Sequence, residues 1–199
     1  MSAADARVLW EEGDNQTWNL ARSAYGDVLA SQGVEGLPYL DRWYREELPR
    51  VLQARTPPFL EPDELVQLTM WKMRRGEWRP RNLALVKSNS AARVREASEK
   101  AFGLAEAPRR AVDALCTLDG VGAATASAAL AALRPDPYPF LDDLVGAALT
   151  ELGEPKFTVT YYLRYATALR DRALALGESW TAQDVGFALW AASGGKMKR

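Results

Sequence analysis

The chain predicts an all-α fold, and three observations carry that prediction. Apolar residues recur at helical steps, start and stop signals bracket those stretches, and no two-residue alternation persists over the length of a strand. With 199 residues, 48% apolar and 26% charged, residues 1–199 are expected to form a single all-α domain, a helical bundle. A chain of that size buries a core without needing disulfides or metals.

Each element follows from local signals. Residues 18–33 (WNLARSAYGDVLASQG) and 38–54 (PYLDRWYREELPRVLQA) read as two amphipathic helices around a break at SQGVEG, 31–36. RTPPFLEP, 55–62, ends the second. Pro62 opens the next helix, over 62–73, with Asp63 and Glu64 in its first turn and Leu65, Val66, Leu68, Thr69 and Met70 continuing it. Breaks are expected at 74–81 and 103–108, with a helix over 91–102 that Ser88 or Ser90 caps. Further breaks fall at 134–139 and 153–155. Residues 159–176 place Tyr162, Ala166, Leu169, Ala173 and Leu176 on one face. Thr181 caps a last helix with Val185, Leu189, Phe187 and Trp190 inward, and a Gly-Gly pair stops it. Trp10, Trp18, Trp43, Trp180 and Trp190 read as core anchors.

Composition removes much chemistry. The chain has no histidine and one cysteine, Cys116, so it cannot form an intramolecular disulfide, a Cys/His zinc site, an Fe–S cluster or a histidine base. No cofactor and no metal are expected. Acid–base work falls to Asp, Glu, Lys, Tyr and Cys116, and Cys116 reads as a small core residue. The N-terminus lacks a basic start followed by an apolar run, and no uncharged apolar stretch approaches membrane-spanning length. The expectation is an intracellular protein, of the cytoplasm or nucleus, with no membrane partner.

The net charge of −1 hides an uneven distribution. Residues 1–64 carry 12 acidic and 6 basic side chains, whereas residues 72–95 carry eight basic ones against Glu77 alone. That run is either a solvated face or a local anion site. Trp71 and Trp78 lie beside its basic residues, in WKMRRGEWRPR, and aromatics among cations suit nucleic acid. Trp71 is either a core residue or the wall of a base pocket. Lys72, Arg74, Arg75 and Trp78 are candidate base or DNA contacts, with Lys87 and Asn89 as further polar candidates.

The most informative segment is 115–145, LCTLDGVGAATASAALAALRPDPYPFLDDLV. A short helix ends with Leu115 and Leu118 as its last apolar positions, Gly120-Val121-Gly122 turns tightly, and a second helix buries Ala126, Ala129 and Leu130. This is a helix-hairpin-helix pattern over about 110–133. Its glycines expose successive N–H groups at a helix N-terminus, which makes Gly120, Val121, Gly122 and Thr125 candidate binders of a DNA phosphate. Downstream, Asp142 reads on its own as the N-cap of a helix over 143–152, with Asp143 favourable near the dipole.

The stretch Leu118–Ala126, LDGVGAATA, followed by Pro139-Phe140-Leu141-Asp142-Asp143, resembles the helix-hairpin-helix-GPD superfamily of DNA glycosylases. The likeness is close over about 30 residues. LVQLTMWKM, 65–73, is similar to the pocket-lining helix of that superfamily. A looser likeness, running from PDELVQLTMWKMRRGEWRPRNLALVKSN to DVGFALW, is to a small branch related to those enzymes, and it names no activity.

The resemblance implies a glycosylase-like fold, double-stranded damaged or modified DNA as partner, and a role in base excision repair. It implies that one aspartate stabilises the oxocarbenium-like sugar as the base leaves and helps orient the attacking water. Asp142, 18 residues after Ala124 and three before Val145, is the favoured one; Asp143 is the alternative. Ala124 stands where bifunctional members carry a Schiff-base lysine, so the resemblance implies a monofunctional hydrolase without lyase activity. A non-catalytic DNA-binding module and an interaction protein are the other function classes open to the chain.

Overall fold

The structure, a computed structural model, describes residues 3–104 and 106–196. All regular elements among the described residues are helical. In chain order they are α1 (Ala3–Glu12), α2 (Asn15–Ser23), α3 (Tyr25–Ser31), α4 (Leu37–Arg42), α5 (Leu48–Gln53), α6 (Pro62–Arg75) and α7 (Pro80–Lys87). Then come α8 (Ala91–Gly103), α9 (Pro108–Leu115), α10 (Ala123–Leu133), α11 (Asp143–Ala148), α12 (Val159–Leu176) and α13 (Ala182–Ala192). None of them is long and apolar enough to cross a membrane.

The start signals read at Pro62, Ser90 and Thr181 act as such, and further caps join them. Thr181 and Asp184 form a reciprocal capping box on α13, and Glu61 and Glu64 form one on α6, behind Pro62. Ser90, not Ser88, caps α8 by accepting from the Arg93 N–H, and Thr158 accepts from the Tyr161 N–H to cap α12.

The differences have physical causes. The single helix expected over 18–33 is two, α2 and α3, which meet at Ala24. Tyr25 turns its ring onto Phe187 and Trp190, at 4.6 and 5.4 Å between centroids, a tertiary pull that no local residue announces. The helix expected over 38–54 carries a π-helical turn at Trp43–Glu47 between α4 and α5. There the Leu48 N–H reaches back five residues to the Trp43 carbonyl, one step before Pro49, which has no N–H to continue an ordinary ladder. The helix expected over 143–152 ends at Ala148, because buried Leu149 leaves the helical region before a 3-10 turn, Thr150–Leu152. α7 occupies residues that carried no helix signal except Pro80 at its first turn.

The chain divides into two compact units, Met1–Glu35 with Pro135–Arg199, and Gly36–Arg134. Each is built around one central helix that is buried on all sides. In the first unit that helix is α13, whose eleven residues are nearly all buried and which packs against α1, α2, α3, α11 and α12. Trp18 sits fully buried there, edge-on to Trp10 and Trp180, while the Arg172 and Arg22 guanidinium groups cover Trp10 and Trp180 at 4.6 and 4.1 Å. In the second unit the central helix is α10, with α5, α6, α8 and α9 around it. Its alanines present so little bulk that helices can approach closely from every side; residues 123–132 are all buried.

Candidate nucleic-acid interface and acidic site

α9 and α10 form a helical hairpin in the second unit, and its turn is held from outside. Gly120 has φ +75, which only glycine adopts without strain. A Cβ there would lie 2.7 Å from the Asn82 carbonyl and 2.9 Å from the Leu85 Cβ, so the turn presses against α7. Asn82 donates to the Gly120 carbonyl at 2.9 Å. Asn89 clasps Asp119 on both sides, its Oδ1 accepting from the Asp119 N–H and its Nδ2 donating to the Asp119 carbonyl, each at 2.9 Å. Arg93 pairs with the Asp119 carboxylate at 2.8 Å and donates to the Thr117 carbonyl at 2.9 Å. Val121 is buried under the turn. Gly122 is exposed, with open space where a Cβ would point, and it leads into α10 as its N-cap. The Thr125 side chain is buried at 1% exposure, so only its backbone N–H belongs to the helix mouth.

The basic run does not present its charges as one strip. Arg75 is buried, with its guanidinium 5.2 Å from the Trp71 ring. Arg79 forks onto Glu77, Arg95 pairs with Glu99, and Arg93 holds the hairpin turn. Arg74 lies against Gly36, whose φ of 70° and missing side chain leave room for it. Arg81, Lys87 and Trp78 stand exposed. Trp71 is fully buried, stacked on Tyr44 at 3.6 Å and 14° between planes. Asn89, read as a polar candidate for a DNA face, is instead a buried staple of the turn; its amide spends its bonds on backbone.

Lys72 stands apart. It is half-buried near the end of α6, and no hydrogen bond or ion pair reaches its ammonium among the described residues. Burial, with the Arg79 charge added, pushes its pKa down to about 8. Cys116 follows the α9 helix as its cap, and burial pushes its thiol up to about 11, away from nucleophilic use.

The two aspartates belong to the first unit. The loop 135–142 is stapled to α12 and α13: Gln183 accepts from the Phe140 N–H at 2.7 Å, and the Tyr165 hydroxyl donates to the Phe140 carbonyl at 2.8 Å. Tyr138, Phe140 and Leu141 are buried in that loop. Asp142 is 7% exposed and caps α11, its Oδ1 accepting from the Leu144 N–H at 2.9 Å. Tyr165 is held neutral far above its ordinary range by burial and by the Asp142 charge. Asp143 faces solvent and pairs with Lys196 at 2.7 Å. Among the described residues, no three His, Cys, Asp or Glu side chains gather as a metal site.

Asn82, Arg93 and Gln183 are the contributors that sequence reasoning missed. Asn82 and Asn89 lie 38 and 30 residues before their turn partners, so no local pattern marks them. No family model, no curated protein and no solved structure matches the chain.

Proposed function

We propose that the chain is a DNA-binding protein of the monofunctional glycosylase type, in which the hairpin holds a phosphate of duplex DNA and Asp142 serves the sugar of an extruded base. The observation that carries the reading is the hairpin turn. Asn82, Asn89 and Arg93 hold its backbone fixed, and Gly122 is left open at the mouth of α10. Fixed N–H groups at a helix start favour an anion, and an open glycine lets a phosphate approach the backbone.

Asp142 is favoured over Asp143 because its carboxylate is already oriented and mostly dry. Asp143 is more open to solvent and is paired with Lys196. A fixed carboxylate in a low-dielectric setting stabilises developing positive charge more than a solvated one does. Exposed Trp78, in the second unit with the hairpin, offers a stacking surface to a nucleic-acid base.

The test is binding to duplex DNA carrying a pyrrolidine abasic analogue, whose cationic ring mimics the oxocarbenium sugar, against undamaged duplex. Transition-state mimics bind catalysts by roughly 10² or more over ground-state ligands. That preference, abolished by Asp142→Asn and kept by Asp143→Asn, is the expected result. Asparagine still offers an oxygen to the Leu144 N–H, so the helix cap survives the change. Equal, salt-sensitive binding to both duplexes would leave a DNA-binding module without catalysis, and no binding to either would leave an interaction protein.

A further inference from the structure

We propose that Lys196 receives the phosphate that adjoins the sugar served by Asp142, exchanging Asp143 for it. The inference deepens the function proposed above and rests on it. The residues that carry it all belong to the first unit. The Lys196 ammonium meets the Asp143 carboxylate at 2.7 Å, and Asp143 follows Asp142 directly in the chain.

A clamped turn delivers that ammonium. α13 ends at Ala192, and Gly194 and Gly195 then take successive left-handed conformations, at φ 79 and 65. Their N–H groups bond back to the Ala191 and Trp190 carbonyls, at 2.9 and 3.2 Å. Gln32, the buried cap of α3, holds the turn from the side. Its Nε2 donates to the Gly194 carbonyl at 3.0 Å and to the Val28 carbonyl at 2.9 Å. The same amide lies so close to Gly195 that a Cβ there would fall 2.7 Å from Nε2. Lys196 is the next residue. A lysine on a loose segment loses much freedom when an anion captures it, whereas here the backbone beneath it is already fixed.

The pair itself is open to exchange. The Lys196 and Asp143 side chains are 36% and 39% exposed, and an ion pair so open to water contributes little to stability. A phosphate oxygen can therefore take the place of the Asp143 carboxylate at small cost. Asp142, buried and tied to the Leu144 N–H, stays where it is. A sugar seated at Asp142 carries a phosphate on either side, and two adjacent carboxylates would repel them. Lys196 offsets one of those carboxylates before DNA arrives and holds a phosphate once it has.

The test pairs the lysine with one phosphate at a time. The full-length protein is titrated with pyrrolidine duplexes in which the phosphate 5′ or 3′ to the analogue is a neutral methylphosphonate, and Lys196→Met and Lys196→Arg are run on the same series. One of the two methylphosphonates is expected to weaken binding by the parent about tenfold, to leave Lys196→Met unaffected, and to weaken Lys196→Arg as it does the parent. Lys196→Met should also lower the salt slope of binding by about one. Asp143→Asn, which leaves the lysine without its carboxylate, should tighten binding to pyrrolidine and undamaged duplexes alike by a few-fold. Methylphosphonate losses that are the same in the parent and in Lys196→Met overturn the inference, while a parent that still prefers the pyrrolidine duplex keeps the reading of Asp142. A parent without that preference removes the reading, and the inference with it.

Discussion

The Trp71 indole N–H donates to the Asp41 carboxylate at 2.9 Å, joining two residues that are fully and almost fully buried in the second unit. Arg45 approaches the other carboxylate oxygen at 3.5 Å, and Tyr44 covers the indole face while its hydroxyl donates to the Ala128 carbonyl at 2.9 Å. One buried charge therefore organises α4, α6 and the π-helical turn. Removing it leaves donors without an acceptor. Asp41→Ala is expected to destabilise the protein by about 2–4 kcal/mol, and Trp71→Phe by about 1–3 kcal/mol. Urea unfolding of both single variants and the double variant checks this; the double variant should lose less than the sum, because the pair acts as one unit.

Trp71 also shows where the sequence stops being legible. Its helical position marks it as inward, and both a core residue and a pocket wall face inward. What buries it is Tyr44, 27 positions earlier, with Asp41 beside it, and no spacing rule connects those residues. By contrast, α12 and α13 were legible because their signals are local: the helical steps from Tyr162 to Leu176, and Thr181 and the Gly-Gly pair on either side of α13. The hairpin turn was legible for the same reason. The residues that grip it, Asn82, Asn89 and Arg93, were not, since each acts across 24 to 38 residues.

Asn89 makes the turn rigid, so its loss should be felt there first. Asn89→Ala removes both links to Asp119 and leaves buried backbone groups unpaired. A cost of about 1–3 kcal/mol is expected. Hydrogen exchange reads it directly: amides of Asp119–Gly122 should exchange faster, while those of α13 change little.

The two turn glycines should behave oppositely. Gly120→Ala places a methyl against the Asn82 carbonyl in a left-handed backbone, and should cost about 2 kcal/mol or more. Gly122→Ala meets open space in an extended backbone, at φ −110, and should leave the midpoint of thermal unfolding within a few degrees. If a phosphate docks there, the added methyl should still weaken binding to duplex DNA by about tenfold. Unchanged affinity in a folded Gly122→Ala variant would remove the turn from the interface.

Buried tyrosines set an alkaline limit. Burial raises the pKa of Tyr44 and Tyr165 above the ordinary value near 10. Between the unfolded and folded values, the folded state holds protons that the unfolded state has lost. Stability is therefore fully present below about pH 10 and falls as the pH rises above it. Chemical denaturation at pH 9, 10 and 11 should show that decline. Tyr44→Phe and Tyr165→Phe should each flatten it, although each also gives up a hydrogen bond, to Ala128 or to Phe140.

Lys72 works in the opposite sense. Its folded pKa, about 8, lies below the ordinary lysine value, so between pH 8 and 10.5 the unfolded state holds the extra proton. Stability from this group therefore rises with pH across that window, and below pH 8 the half-buried ammonium is a standing cost. Lys72→Met keeps the apolar stem and removes the charge, so at pH 7 it should raise the unfolding midpoint, by about 1–2 kcal/mol in stability, with the gain shrinking toward pH 10. A variant that is less stable than the parent at pH 7 would show that the packing of the Lys72 stem outweighs the cost of its buried charge.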